Sequence, residues 1–225
     1  PGMPAGQFGV TPGPVMAATD RFDIVIRGRG GHAAMPHLGI DPVVAGAQLV
    51  SALQSIVSRT VDPLDAAVVS VTQFHAGEAY NAIPTEAQLA GTLRTLSPTL
   101  RAATRERLRQ IAGGIASALG VTIDVQFHEG YPPTVNTADE AALCRAVAQE
   151  LVGEANVAWA HRPSMGAEDF AYLLERCPGC YVWIGNGAGE GGCGLHNARY
   201  DFNDSILPLG ASYWVRLVER YLSNA

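Results

Sequence analysis

Residues 21–27, RFDIVIR, alternate polar and apolar side chains with the two-residue period of a strand that buries one face. Asp41-Pro42 then supplies a helix cap and a first-turn proline, and Val43, Ala47, Val50, Leu53 and Val57 recur behind it at helical spacing. Two β-rich runs follow, AAVVSVTQF at 66–74 and EAQLAGTLRT at 86–95, separated by a loop that holds Gly77, Asn81 and Pro84. Ser97-Pro98 caps a second helix with a stripe of Leu100, Thr104, Leu108, Ile111 and Ile115. Arg101, Arg105 and Arg109 are expected outside that stripe, and Gly120 is expected to end the helix. The run VTIDVQF at 121–127 alternates again. The order βαββαβ predicts a ferredoxin-like unit, two helices covering one face of a four-stranded antiparallel sheet.

The rest of the chain is less complete as a pattern. Residues 138–152 predict a helix with Leu143, Val147 and Leu151 inward, AEDFAYLLER (167–176) a second helix, CYVWIG (180–185) a buried strand, and 206–222 a closing amphipathic helix. Helices and strands alternate as in an α/β domain, but one or two strands are too few for a stable sheet, so further strands are expected from elsewhere. There is no internal repeat, low-complexity tract or coiled-coil heptad.

Composition changes the picture only by exclusion. With 225 residues, 48% of them hydrophobic, and a formal net charge of −6, the chain is globular and acidic. It has no Lys/Arg-rich run, which argues against nucleic acid or an anionic membrane as partner. The start PGMPAGQFGV lacks the basic and apolar regions of a signal peptide, so a cytoplasmic location is expected, with Cys144, Cys177, Cys180 and Cys193 reduced. Pro1 reads as mid-loop, and the expectation is a fragment of a longer protein.

Local motifs leave several chemistries open. Cys177, Cys180, Cys193 and His196 spell C-x2-C-x12-C-x2-H, a spacing compatible with a structural zinc knuckle, although YVWIG between the halves would carry them apart. CPGC alone is either a redox pair or two turn cysteines. GAGEGG at 187–192 matches a dinucleotide loop but is followed by CGLHN rather than a helix, and so fails its own context. His32 and His37 in RGRGGHAAMPH, and likewise His75, His128 and His161, are by default ordinary surface or strand-end imidazoles. Asn81 is equally readable as turn chemistry and Arg94 as a solvated strand residue.

Four motifs taken in order, GGHAAMPH, NAIPTEAQLAGTLRT, SMGAEDFAYLL and GLHNARYDFND, resemble the hippurate hydrolase, auxin-conjugate hydrolase and N-acyl-amino-acid amidohydrolase branch of the aminoacylase-type metallopeptidases. The resemblance spans essentially the whole chain. It implies a ferredoxin-like βαββαβ lid and dimerisation domain, residues 21–130, inserted in an α/β zinc-peptidase-like catalytic domain that is only partly present. Residues 1–20 would be a remnant of that domain and 131–225 its C-terminal part.

Carried onto matching positions, the resemblance implies that His196 is a metal ligand and that His32 stabilises the oxyanion formed on the scissile amide, in some relatives across a subunit boundary. It implies that Asn81 and Arg94 hold substrate, Arg94 by a bidentate grip on a carboxylate, and that Gly166 lines the pocket. Glu168 and Asp169 are expected to cap the following helix rather than bind metal.

The family pattern also carries a Cys-x-His region, a Glu-Glu pair and a further His before the lid, and none of these is present. The expected activity is metal-dependent hydrolysis of the amide bond of N-acyl or N-aroyl amino acids by a homodimer that uses two divalent ions, zinc or manganese. This chain alone is expected to bind no metal and to be inactive, because one imidazole cannot hold zinc. A non-catalytic dimerisation module and a zinc-knuckle protein are the alternatives.

Overall fold

The computed structural model describes residues 2–187 and 194–223. In chain order its strands and helices begin with β1 (Phe8–Val10), β2 (Gly13–Met16), β3 (Ala18–Arg27), β4 (Gly31–His32), α1 (Pro42–Arg59), β5 (Ala67–Ala76), β6 (Ala82–Ile83) and β7 (Glu86–Thr95). They continue with α2 (Pro98–Leu119), β8 (Thr122–Glu129), β9 (Thr134–Asn136), α3 (Ala138–Val152), β10 (Val157–Trp159), α4 (Ala171–Leu174), β11 (Trp183–Ile184) and α5 (Leu207–Ser223). The chain forms two compact units. One holds Met16–Pro133 and Ser164–Glu168; the other holds Pro1–Val15, Thr134–Pro163 and Asp169–Ala225.

In the Met16–Pro133 unit, four antiparallel strands lie in the order β5-β7-β3-β8. Strand alternation puts Phe22, Ile24 and Ile26 of β3 and Leu89 and Leu93 of β7 on one face, where they meet Leu49, Leu53 and Ile56 of α1 and Leu108 of α2. Both helices start as their caps dictate. Asp41 Oδ1 accepts from Val43 N at 2.8 Å, and Ser97 Oγ accepts from Leu100 N at 3.1 Å. α2 stops at Gly120, whose φ of 71° suits a residue without Cβ.

One sequence expectation is corrected in this unit. α1 buries Ala45, Leu49, Leu53 and Ile56, whereas Val43, Ala47 and Val57 are exposed. The helix carries apolar residues all round, so periodicity alone did not select its inner face. Arg101 and Arg105, beside the apolar stripe of α2, both donate to the buried carboxylate of Asp20, and Arg101 also reaches the carbonyls of Thr19 and Gly130.

In the other unit, β1 pairs parallel with β10 and antiparallel with β11, and β2 forms a ribbon with β9. Phe8 and Val10 pack against Ala141, Cys144, Val147 and Ala148 of α3 and against Tyr213 of α5. The sequence reading undercounted these strands, because three-residue elements carry no measurable period. CYVWIG contributes only the half-buried pair Trp183–Ile184, and AEDFAYLLER only the short α4. The N-cap position of α4 is Phe170, which makes no side-chain cap bond. Among the described residues no helix is long and apolar enough to cross a membrane.

Candidate functional site

The RGRGGH segment owes its glycines to close packing of backbones. A Cβ at Gly28 would lie 2.2 Å from the carbonyl oxygen of Ile40, and one at Gly30 would lie 2.6 Å from that of Ile83. That closeness lets β4 turn back and pair with β6, so that His32 stands opposite Ala82. Ala33 N donates to Asn81 O at 3.0 Å, which places His32 and Asn81 side by side on one exposed ribbon.

The backbone sets the tautomer of His32. Its Nδ1 accepts from Ala34 N at 3.1 Å, so the neutral ring carries its proton on Nε2, which no described residue engages. An outward N–H beside an amide side chain is a donor pair suited to developing negative charge on a carbonyl oxygen.

Arg94 lies on β7 of the four-stranded sheet, at the end away from Glu86. It pairs with Thr19 of β3 and Val68 of β5, on the face away from Leu89 and Leu93, and makes no ion pair among the described residues. Gly166 shares that end: its carbonyl accepts from Ala17 N at 2.8 Å, next to the Ala18–Thr95 pair, and its own N donates to Ser164 Oγ at 3.0 Å. The His32 ribbon follows Arg27, which pairs with Glu86. The eight residue steps from Glu86 to Arg94 span about 26 Å, so one copy of this unit cannot bring Arg94 and His32 to one small molecule.

His196 belongs to the other unit. It sits in an exposed turn closed by a bond from Asn197 N to Gly194 O at 3.3 Å, with a φ of 66° that is unusual for a residue bearing a Cβ. Sequence reasoning missed Asn186, which organises the segment just beyond. Its buried side chain accepts from Asn203 N at 2.8 Å and donates to Asp201 O at 3.4 Å. Its only signal was an asparagine directly after the apolar WIG.

Among the described residues no three His, Cys, Asp or Glu side chains could together hold a metal ion. The described residues therefore do not by themselves fit a metal centre, and His196 is a single donor. Of the four knuckle residues, Cys193 lies outside the described residues. Cys177 is exposed with its Sγ 3.5 Å from Leu173 O, while Cys180 packs against the core that holds Cys144.

A helix-covered antiparallel sheet with a His–Asn ribbon, together with a smaller α/β unit, defines a mixed α/β protein. The chain belongs to peptidase family M20/M25/M40, whose model matches residues 1–220. It is 40% identical over 223 residues to the hippurate hydrolase of Campylobacter jejuni, covering 98% of this chain and 57% of that enzyme. It is 38% identical over 218 residues to the N-acetylcysteine deacetylase of Bacillus subtilis, covering 96% and 56%. The crystal structure of a dinuclear metal-binding peptidase of the M20 family from Bacillus subtilis superimposes with a TM-score of 0.82 and 31% identity, over 100% of this chain and 56% of that one. A tripeptidase from Staphylococcus aureus shares the fold with a TM-score of 0.72 at 22% identity, over 95% of this chain and 53% of that one. The chain thus spans a little over half the length of the relatives it matches.

Proposed function

We infer that the chain is part of a metal-dependent amidohydrolase that cleaves the amide bond of N-acyl or N-aroyl amino acids in the cytoplasm. The observation that carries this is the 40% identity to a hippurate hydrolase along 98% of the chain. The Met16–Pro133 unit serves as a ferredoxin-like lid and dimerisation domain, and the other unit as part of the catalytic domain. The complete enzyme uses two divalent ions, zinc or manganese, to which this chain contributes His196.

Each remaining residue has a task that its position supports. His32 donates its Nε2–H to the oxygen of the scissile carbonyl as it gains charge, with Asn81 beside it holding the substrate amide. Arg94 grips the amino-acid carboxylate through paired charge-assisted bonds. Gly166, with no side chain, leaves room for the substrate at the same end of the sheet. Because the two pairs lie at opposite ends, each site is assembled from His32 and Asn81 of one copy and Arg94 and Gly166 of another, within a homodimer.

Subunit mixing in the complete enzyme tests this. His32→Ala and Arg94→Ala homodimers should each be nearly inert toward N-benzoylglycine. A random mixture should regain about a quarter of wild-type activity, since half of the dimers are mixed and each has one intact site of two. A mixture as inert as its parents would refute the shared site, and equal turnover of an amide lacking the carboxylate would refute the substrate class.

A further inference from the structure

The reading above uses no residue of the cavity that lies under α5 in the Pro1–Val15, Thr134–Pro163 and Asp169–Ala225 unit. That cavity has a volume of about 280 Å³ and is lined by Phe8, Cys144, Phe170, Cys180, Tyr213 and Trp214, among others. Cys144, on α3, is buried, and Cys180, three residues before β11, packs on the same core cluster. Both are free thiols, line the same cavity wall and pack in the same cluster. The Tyr213 hydroxyl is buried without a settled partner and lies beside the Cys144 sulfur. Two thiols and a phenol at the wall of an apolar cavity form a cluster for which amide hydrolysis has no use.

We propose that Cys144 and Cys180 are a redox-modification site that closes to a reversible disulfide when a hydroperoxide enters this cavity. The cavity is several times the volume of a peroxide molecule, so the oxidant can reach a sulfur that bulk solvent scarcely touches. The bond from Cys180 draws the Cys144 thiol down to about 7 against the effect of burial, with Tyr213 helping, while the same contact pushes Cys180 up. In this proposal Cys144 is the attacking sulfur and Cys180, on the same cavity wall, the resolving thiol.

In the first step the Cys144 thiolate attacks one peroxide oxygen. The O–O bond breaks, a sulfenic acid forms, and hydroxide leaves. In the second step the Cys180 sulfur attacks the sulfenic sulfur, and the Cys180 proton departs with the oxygen as water. Two thiols are oxidised by two electrons and one hydroperoxide is reduced. Cys177 takes no part, because its exposed sulfur is turned to the Leu173 carbonyl at 3.5 Å.

The test titrates the folded 225-residue chain with hydrogen peroxide, counts thiols and maps peptides. Two of the four thiols should be lost. The linked peptide should join Cys144 to Cys180, and dithiothreitol should restore all four. Cys177→Ser should keep the link, whereas Cys180→Ser should leave Cys144 as a sulfenic acid that a dimedone-type probe traps. A link through Cys177 or Cys193, or a full thiol count after a peroxide dose that consumes a free model thiol, would overturn the proposal. Should Cys180→Ser not fold, the wild-type map decides alone.

Discussion

Arg94 presents a cation on a sheet face with no partner among the described residues, and desolvating such a group is favourable only if something anionic arrives. In the complete enzyme, Arg94→Ala should lower kcat/KM for an N-acyl amino acid about a hundredfold or more, from charge-assisted bonds worth about 1.5–3 kcal/mol each. The matching amide without a carboxylate should hardly change, and Arg94→Lys should recover only part, lacking the planar fork. Equal losses on both substrates would assign Arg94 to the fold instead. Asp20 makes the contrasting case of a buried charge already satisfied. Burial alone would raise its carboxyl, but hydrogen bonds and charge from Arg101 and Arg105 outweigh burial and hold it below its usual 3.8. Its contribution to stability is therefore complete above about pH 4 and is lost as the pH falls through the folded value. Asp20→Asn should cost about 3 kcal/mol at pH 7, because Arg101 and Arg105 are left sharing the exposed carboxylate of Glu129. Urea unfolding should show that deficit narrowing below pH 4; a deficit that stays constant with pH would contradict the assignment.

Elements that announce themselves chemically were legible, and those defined only by their neighbours were not. Asp41-Pro42 and Ser97-Pro98 mark the true starts of α1 and α2, and the predicted spans of β7 and α3, 86–95 and 138–152, coincide with the structure. β1 and β10 are three residues each, formed by pairing with one another, and no window that short shows a period. The inner face of α1 was ambiguous because Val43, Val44, Ala45, Ala47, Leu49 and Val50 surround the axis. The glycines before His32 were visible, but their reason was not, since it lies in carbonyls at Ile40 and Ile83. Gly30→Ala should part β4 from β6, because backbone cannot yield as a side chain would. In the complete enzyme, activity should fall by about a hundredfold, the scale of an ångström misplacement of a catalytic group. Thermal melting should stay near that of the wild type; unchanged activity would show that the ribbon does not position His32.

At the scale of the molecule, His32, Asn81, Arg94, Gly166 and His196 could be singled out from motifs, but the pairing of His32 with Asn81 on one ribbon and of Arg94 with Gly166 at the far end of β7 could not. Strand pairing between residues far apart in sequence decides that grouping. The 225-residue chain, given zinc or manganese, should not hydrolyse N-benzoylglycine, because its described residues offer no group of three ligands. Measurable turnover abolished by a chelator would sink that expectation. The same strand order governs how the protein is made. β3, at the centre of the sheet, leaves the ribosome about sixty residues before β7, the first strand that can pair with it. At about 5–20 residues per second, its backbone waits about 3–12 s without a strand partner, with only α1 able to cover Phe22, Ile24 and Ile26. β5 emerges inside that interval and cannot help, since it pairs only with β7. The nascent chain therefore passes through a period in which both backbone edges of its central strand are open to unintended pairing.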